Sequence, residues 1–378
     1  MPSSSQADSP PASMPRLLHP LMGCDLVTLL RVLGANGGVP PRCWPHAGLA
    51  IATALGRLPF TALESFWVAR QRRRTPNLPP PLFIVGHWRS GTTFLYEILC
   101  QSPQFAYVSP FATGLPWEFL TLGRVLRPWL ERALPSDRFI DSMQVLPHSP
   151  QEDEIGLANM QPLSFYHGLY FPSRLRQNFD AGIFFDGCSD RAIAHWQEIA
   201  ALFFEKLQYE QPGKQLLIKN PVYTARVALL RQMYPGAKFI HIYRNPYIVF
   251  QSTRNFYTAL FKELALQPFA AAPVDTLILE SYPRMMTALL EDTQGLPPDQ
   301  FIELRFETFE ADPLAAIAQI YQQLELEGFA AARPNFAAYL EANQRYRKNR
   351  YQFPQADNDR VGEYWQVFCD RWNYQPPV

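Results

Sequence analysis

The sequence has no Cys-x-x-Cys pair and no cluster of cysteine with histidine. Its five cysteines, Cys24, Cys43, Cys100, Cys188 and Cys369, are scattered. That pattern suits a reducing compartment and offers no zinc site. No apolar run approaches the roughly 18 residues of a membrane span, and no basic–apolar–small leader opens the chain. A soluble, cytoplasmic protein is expected. An excess of one charge is also missing, because 34 Lys and Arg stand against 34 Asp and Glu. Such a balance argues against a general nucleic-acid binder, though not against a local cationic pocket. No Asp-rich ligand set and no internal repeat are evident.

What is present is ordinary globular material: 378 residues, 47% hydrophobic and 18% charged, enough for one large α/β unit or two smaller ones. The informative stretch is PPLFIVGHWRSGTTFLYEIL, Pro80 to Leu99. Leu82 to Val85 read as a short buried strand. After Thr93 the period changes, with Phe94, Leu95, Ile98 and Leu99 at helical spacing. Between them lies a tight strand-to-helix loop, which aims backbone N–H groups and a helix dipole at one spot and so cradles an anion. Gly86, Gly91 and Thr93 fit the Gly-x4-Gly-x-Thr spacing of a phosphate-binding loop. Thr92 stands where nucleoside-triphosphate enzymes carry lysine, and a cation, Arg89, sits inside the loop instead.

Along the chain, residues 1–16 are Ser/Pro/Ala-rich and aperiodic, hence expected to be disordered. Residues 17–75 predict a helical extension of two or three short helices packed on a main domain at 76–378. A second reading makes this extension a surface for a membrane or an apolar acceptor, supported by Arg70, Arg72, Arg73 and Arg74. Such cations contribute about 1 kcal/mol each near an anionic leaflet, enough for transient peripheral contact but not anchorage. Ser109 to Pro150 reads as irregular and aromatic, and Ser149 to Asn159 carries an acidic knot with Glu152, Asp153 and Glu154. Phe165 to Gly187 reads as an aromatic wall for an acceptor pocket. Helices are predicted over Ile193–Tyr209, Ala225–Tyr234, Tyr247–Leu264, Tyr282–Glu291 and Pro313–Leu324. Further strands are predicted at Leu216–Ile218, Phe239–Tyr243 and Phe301–Phe306. This alternation implies an α/β three-layer sandwich, a parallel sheet between helices joined by right-handed crossovers. Ligands of such sheets sit beyond the carboxyl ends of the strands.

Three cations fall there: Arg89 in the loop, Lys219 after LLI and Arg244 after FIHIY. One alone reads as a surface charge, whereas three after apolar strands point to a polyanionic ligand. Ser252 follows Arg244 by eight residues, two helical turns on, so a second phosphate fits between them.

These residues resemble the sulfotransferases that use 3'-phosphoadenosine 5'-phosphosulfate (PAPS). WRSGTTFLYEIL is similar to their 5'-phosphosulfate motif and HIYRNPYIVFQS to their 3'-phosphate motif. The GHWRSGTT loop and the PQEDE knot are most similar to bacterial-type members of the third sulfotransferase group. The resemblance implies that Arg89, Ser90, Gly91, Thr92 and Thr93 wrap the 5'-phosphosulfate and that Arg244 and Ser252 take the 3'-phosphate. Phe94 stands where the family often stacks adenine on Trp, or else is a core helix residue. Arg347 and Lys348, in YRKN, resemble the family's late Arg-Lys-Gly segment on the same phosphate, or are part of a solvated charge run. Lys219-Asn220-Pro221 resembles the segment that supplies a catalytic His in cytosolic members, and here that His is absent.

Sulfuryl transfer needs a proton acceptor by the attacking hydroxyl and fixed cations at the leaving oxygen. Arg89 and Lys219 suit the second role. For the base, Glu152 comes first, then Asp153, Glu154 and neighbouring His148, with His87 a further candidate; the acids also suit a helix N-terminus. The implied partners are PAPS as donor, no metal, no nucleic acid, and a small-molecule or lipid hydroxyl as acceptor. The aromatic segments Phe111–Trp129 and Phe165–Phe185 favour a hydrophobic alcohol, such as a lipid, sterol or polyketide, over a sugar. The sequence leaves the oligomeric state open. The competing readings are a P-loop kinase, which would need the missing lysine and an acidic magnesium ligand, and a membrane-associated binding protein without activity.

Overall fold

The structure is a computed structural model and describes residues 19–72, 79–133, 149–343 and 351–377. Residues 1–16, Arg73, Arg74, His148, Arg347 and Lys348 lie outside the described residues.

Five strands form one parallel sheet: β1 (Leu82–Val85), β2 (Phe105–Ala106), β3 (Gln215–Lys219), β4 (Lys238–Tyr243) and β5 (Phe301–Arg305), in the order β2-β3-β1-β4-β5. The central β1 pairs with β3 through Ile84 and Lys219, and with β4 through Val85 and His241. All four β1 side chains are buried, as a strand covered on both faces requires. They alternate between two cores. Phe83 and Val85 join Ile218 and Phe239 on one face. Leu82 and Ile84 join Leu217, Ile240, Ile242 and Leu304 on the other. The chain leaves β1 for the β2 edge, returns to β3 and then crosses to β4. This reversal puts the topological switch point at the carboxyl end of β1.

The sheet has one strand more than the four expected, because β2 is only two residues long and carries no periodicity to read. The helices match in order, with shifted ends. They run over Asp190–Glu210, Val227–Met233, Pro246–Leu264, Val274–Asp292 and Pro313–Gln323. The fourth begins eight residues before Tyr282, since the buried Leu277, Ile278, Leu279 and Ser281 extend its core face. Ser109–Pro150 is not wholly irregular: it contains helices Pro110–Gly114 and Leu122–Ala133.

The N-terminal extension also differs from expectation. After α1 (Leu26–Ala35), capped by Asp25, a single 29-residue helix, α2, runs Trp44–Arg72 straight through Pro59. Gly56 and Pro59 read as breakers in the sequence. They are overridden by a buried stripe of His46, Ala50, Ala54, Arg57, Glu64 and Val68 at helical spacing.

Candidate active site

The loop after β1 is built by backbone conformations that only certain residues tolerate. Gly86 has φ +141°, and a Cβ there would meet the Ile242 carbonyl of β4 at 2.4 Å. Its N–H donates to Thr224 Oγ1 at 2.8 Å. Ser90 closes the turn, its N–H and Oγ both donating to the His87 carbonyl, at 3.2 and 2.8 Å. Gly91 has φ +104°, and a Cβ there would lie 2.2 Å from the Phe306 ring. It starts α3 (Thr92–Leu99), whose N-terminus receives no side-chain cap. The first N–H groups of α3 are therefore available to an anion.

Arg89 also has positive φ, +69°, a conformation that costs a non-glycine residue on the order of 1–2 kcal/mol. Its backbone carbonyl accepts from Arg244 Nη1 at 3.5 Å, and its own Nε donates to Ser252 Oγ at 2.9 Å. Ser252 in turn bonds the Tyr351 hydroxyl at 2.8 Å. Arg244 and Ser252, expected as a pair, are thus joined through Arg89. Arg244 is held 4.4 Å above the Phe306 ring, and burial lowers its pKa. Its Nε is buried without a partner among the described residues. A buried guanidinium with an unused donor, beside a hydroxyl and a second guanidinium, is fitted to a phosphate. The arrangement therefore suits a ligand with more than one phosphoryl-like anionic group. Tyr351 was not singled out in the sequence; its only signal is that it follows the charged run at 345–350.

Lys219, at the carboxyl end of β3, is buried, and its Nζ donates to Glu152 Oε1 at 2.5 Å and to Thr93 Oγ1 at 3.2 Å. Lys219 thereby ties the loop to the acidic knot. The knot divides its three acids. Glu152 precedes the short helix Asp153–Leu157, makes no cap hydrogen bond and stays partly exposed. Asp153 and Glu154 face the core instead of a solvated helix end. Asp153 accepts from the Tyr223 hydroxyl, and burial pushes its pKa up to about 8 against the downward pull of that bond. Glu154 accepts from Ser164 Oγ at 2.6 Å and Asn220 Nδ2 at 3.1 Å, with its pKa also raised by burial. Of the three, the structure brings Glu152 alone to Lys219.

His87 braces the loop from below. It is 2% exposed, Nδ1 lies 3.0 Å from the Trp88 carbonyl, and the ring packs edge-on against Tyr282. Burial pushes its pKa down to about 4. Trp88 is buried among Phe165, Phe179 and Tyr257. This corrects the aromatic wall: Phe165, Tyr170, Phe171 and Phe179 are fully buried, so they form the core under the loop rather than an open face. Phe94 is partly buried, 5.3 Å from Phe309 against the second core.

The family model described as the sulfotransferase family matches residues 80–331, from the entrance of β1 to beyond β5. The chain is 29% identical over 354 residues to an omega-hydroxy-beta-dihydromenaquinone-9 sulfotransferase, Stf3, of Mycobacterium tuberculosis, covering 93% of this chain and 90% of that protein. The Stf3 of Mycobacterium bovis matches equally. Among solved structures, sulfotransferase STF9 of Mycobacterium avium superposes with a TM-score of 0.66 at 14% identity, covering 93% of this chain and 97% of that one. Sulfotransferase STF1 of Mycobacterium tuberculosis gives 0.62 at 15%, covering 90% of each. These two structural likenesses bear on the fold.

Proposed function

The chain belongs to the sulfotransferase family, and we propose that it transfers the sulfuryl group of PAPS to the hydroxyl of a hydrophobic alcohol. Family membership carries the enzyme class and the donor and speaks against the kinase reading, while the retained cations Arg89, Lys219 and Arg244 speak against an inactive binder. The acceptor class rests on the Stf3 relatives, whose named acceptor is a hydroxylated menaquinone lipid.

In this reading, Arg89, Ser90, Gly91, Thr92 and Thr93 grip the 5'-phosphosulfate with side chains and the open N–H groups of α3. Arg244 and Ser252 hold the 3'-phosphate, which satisfies the unpartnered Nε of Arg244. Phe94 lines the adenine side. The donor supplies an activated sulfuryl group on a phosphate leaving group. Glu152 takes the proton of the acceptor hydroxyl as its oxygen bonds sulfur and the sulfur–oxygen bond to phosphate breaks, in line. Lys219 and Arg89 face the bridging oxygen, on which negative charge builds as that bond opens. No metal ligand has a role in these steps.

The observation that carries the assignment of roles is Lys219 Nζ bridging Glu152 and Thr93. It puts a cation, a carboxylate and the anion loop at one point. The test is thermal stabilisation by 3'-phosphoadenosine 5'-phosphate, expected to exceed clearly that by ATP with magnesium; equal or reversed stabilisation overturns the reading. Labelled PAPS offered with a lipid extract and with a sugar pool, followed by mass spectrometry of the product, tests the acceptor.

A further inference from the structure

A helix on the outside of a folded protein normally turns its charges to water and its apolar residues to the core. Over Trp44 to Ala69, α2 departs from this, burying both of its charges and exposing most of its large apolar side chains. Its charged residues there, Arg57 and Glu64, are both buried, ion-paired to Glu118 at 2.6 Å and Lys206 at 2.8 Å. Its exposed positions include Trp44, Leu55, Leu58, Phe60, Leu63 and Phe66, and the one polar side chain among the exposed is Ser65. Phe66 is 70% exposed and Trp44 64%. At 3.6 residues per turn, Trp44, Leu55, Leu58, Leu63 and Phe66 share an arc of about 140°. This is one continuous stripe, not scattered surface residues of the kind every protein has.

The exposed charges carried by α1 and α2 themselves have one sign. From Leu26 to Arg72 the only carboxylate is the buried Glu64. The exposed charges in that span are Arg31, Arg42, Arg70 and Arg72, the last paired with Glu205. In a chain of zero net charge, the α1–α2 surface is therefore cationic as well as apolar. No helix among the described residues is long and apolar enough to cross a membrane. A long helix with an apolar stripe and basic flanks lies in the plane of a bilayer surface instead.

We propose that the outward face of α2 docks on an anionic lipid surface, with Trp44, Leu55, Leu58, Leu63 and Phe66 at the acyl boundary and Arg42 and Arg70 on the headgroups. The docking stands on the helix itself; only its purpose, reaching a lipid acceptor where it resides, rests on the function proposed above. Cations of this kind attract an anionic leaflet and not a neutral one. The same apolar stripe without that charge bias would suit a second copy of the chain.

The experiment uses the full chain and vesicles of phosphatidylcholine with or without phosphatidylglycerol. Co-sedimentation is expected with the anionic vesicles, and binding at least about tenfold weaker to the neutral ones or at high salt. Leu63→Glu with Phe66→Glu, both at exposed positions, is expected to lower anionic-vesicle binding about tenfold or more, and Arg42→Gln with Arg70→Gln to lower it too. No binding, or binding unchanged by both pairs of substitutions, overturns the proposal. Self-association abolished by Leu63→Glu, without vesicle binding, also overturns it and assigns the face to a second copy. Stabilisation by 3'-phosphoadenosine 5'-phosphate is read on the same samples. Its loss with vesicle binding intact overturns the catalytic reading alone, and the converse overturns the docking alone.

Discussion

Arg89 Nε donates to Ser252 Oγ at 2.9 Å, joining two residues 163 positions apart. The bond runs from the loop after β1 to the helix after β4, on the two sides of the switch point. It makes the two proposed phosphate sites one structure, since a cation of the first orders the hydroxyl of the second.

Arg244→Ala is therefore expected to weaken 3'-phosphoadenosine 5'-phosphate about 10- to 100-fold, as hydrogen bonds to charged groups contribute ~1.5–3 kcal/mol each. Binding of ADP, which lacks the 3'-phosphate, should change little. Titration calorimetry on both ligands decides. An equal loss for both, or none, would move the 3'-phosphate away from Arg244.

Glu152→Gln keeps the shape of the side chain and removes its basicity. Turnover is expected to fall about 10²–10⁴-fold, the usual contribution of a general base, with nucleotide affinity within a few-fold of the parent. Lys219→Met is expected to lower kcat about 10²–10³-fold through the lost cation. Normal turnover of Glu152→Gln would clear that residue of the base role, and Asp153 and Glu154, engaged in the core, would not inherit it by proximity.

Gly91→Ala introduces two faults at once, a strained φ and a Cβ 2.2 Å from the Phe306 ring. Left-handed backbone costs about 1–2 kcal/mol and overpacking about 1–3 more. A Tm lower by roughly 5 °C is expected, with nucleotide binding lost. Gly187→Ala is the control, with φ +70° and open space around its Cβ. It should show the smaller conformational cost alone and bind nucleotide normally. Equal effects at the two positions would mean that the Phe306 contact plays no part.

The sheet was legible because LFIV and FIHIY are apolar runs that end at a glycine or a cation, and the strand-end positions of Arg89, Lys219 and Arg244 follow directly. What escaped was settled by packing. Pro59 lies inside α2 because the helix is held along a buried stripe, which propensity does not weigh. Three consecutive acids look alike in a sequence, yet a single helical turn leaves Glu152 beside Lys219 and sends Asp153 and Glu154 into the core. The aromatics of 165–179 share the composition of a pocket wall and of a core, and only burial tells the two apart. Tyr351 reaches Ser252 from 99 positions away, a contact with no local signal.

Asp153 predicts a pH dependence of stability that is independent of catalysis. Its carboxyl is buried and its pKa raised from 3.8 to about 8, chiefly by desolvation. In the unfolded chain the group ionises near 3.8, whereas in the folded protein it keeps its proton up to about 8. Between those values the unfolded state binds fewer protons, so the contribution of this group to stability declines as pH rises, by up to about 1.4 kcal/mol per pH unit. It is fully present below pH 4 and constant again above pH 8. Asp153→Asn preserves size and a partner for the Tyr223 hydroxyl while removing the titration. The Tm of this variant relative to the parent is expected to climb steadily from pH 5 to pH 8 in calorimetric scans. Subtraction of the two curves cancels the titrating groups that do not interact with Asp153, His87 included, and leaves Asp153 with its carboxylate neighbours Glu152 and Glu154. Parallel curves across that range would mean that Asp153 ionises in the folded state as readily as in the unfolded one, with the Tyr223 hydroxyl then sufficient to carry a buried charge.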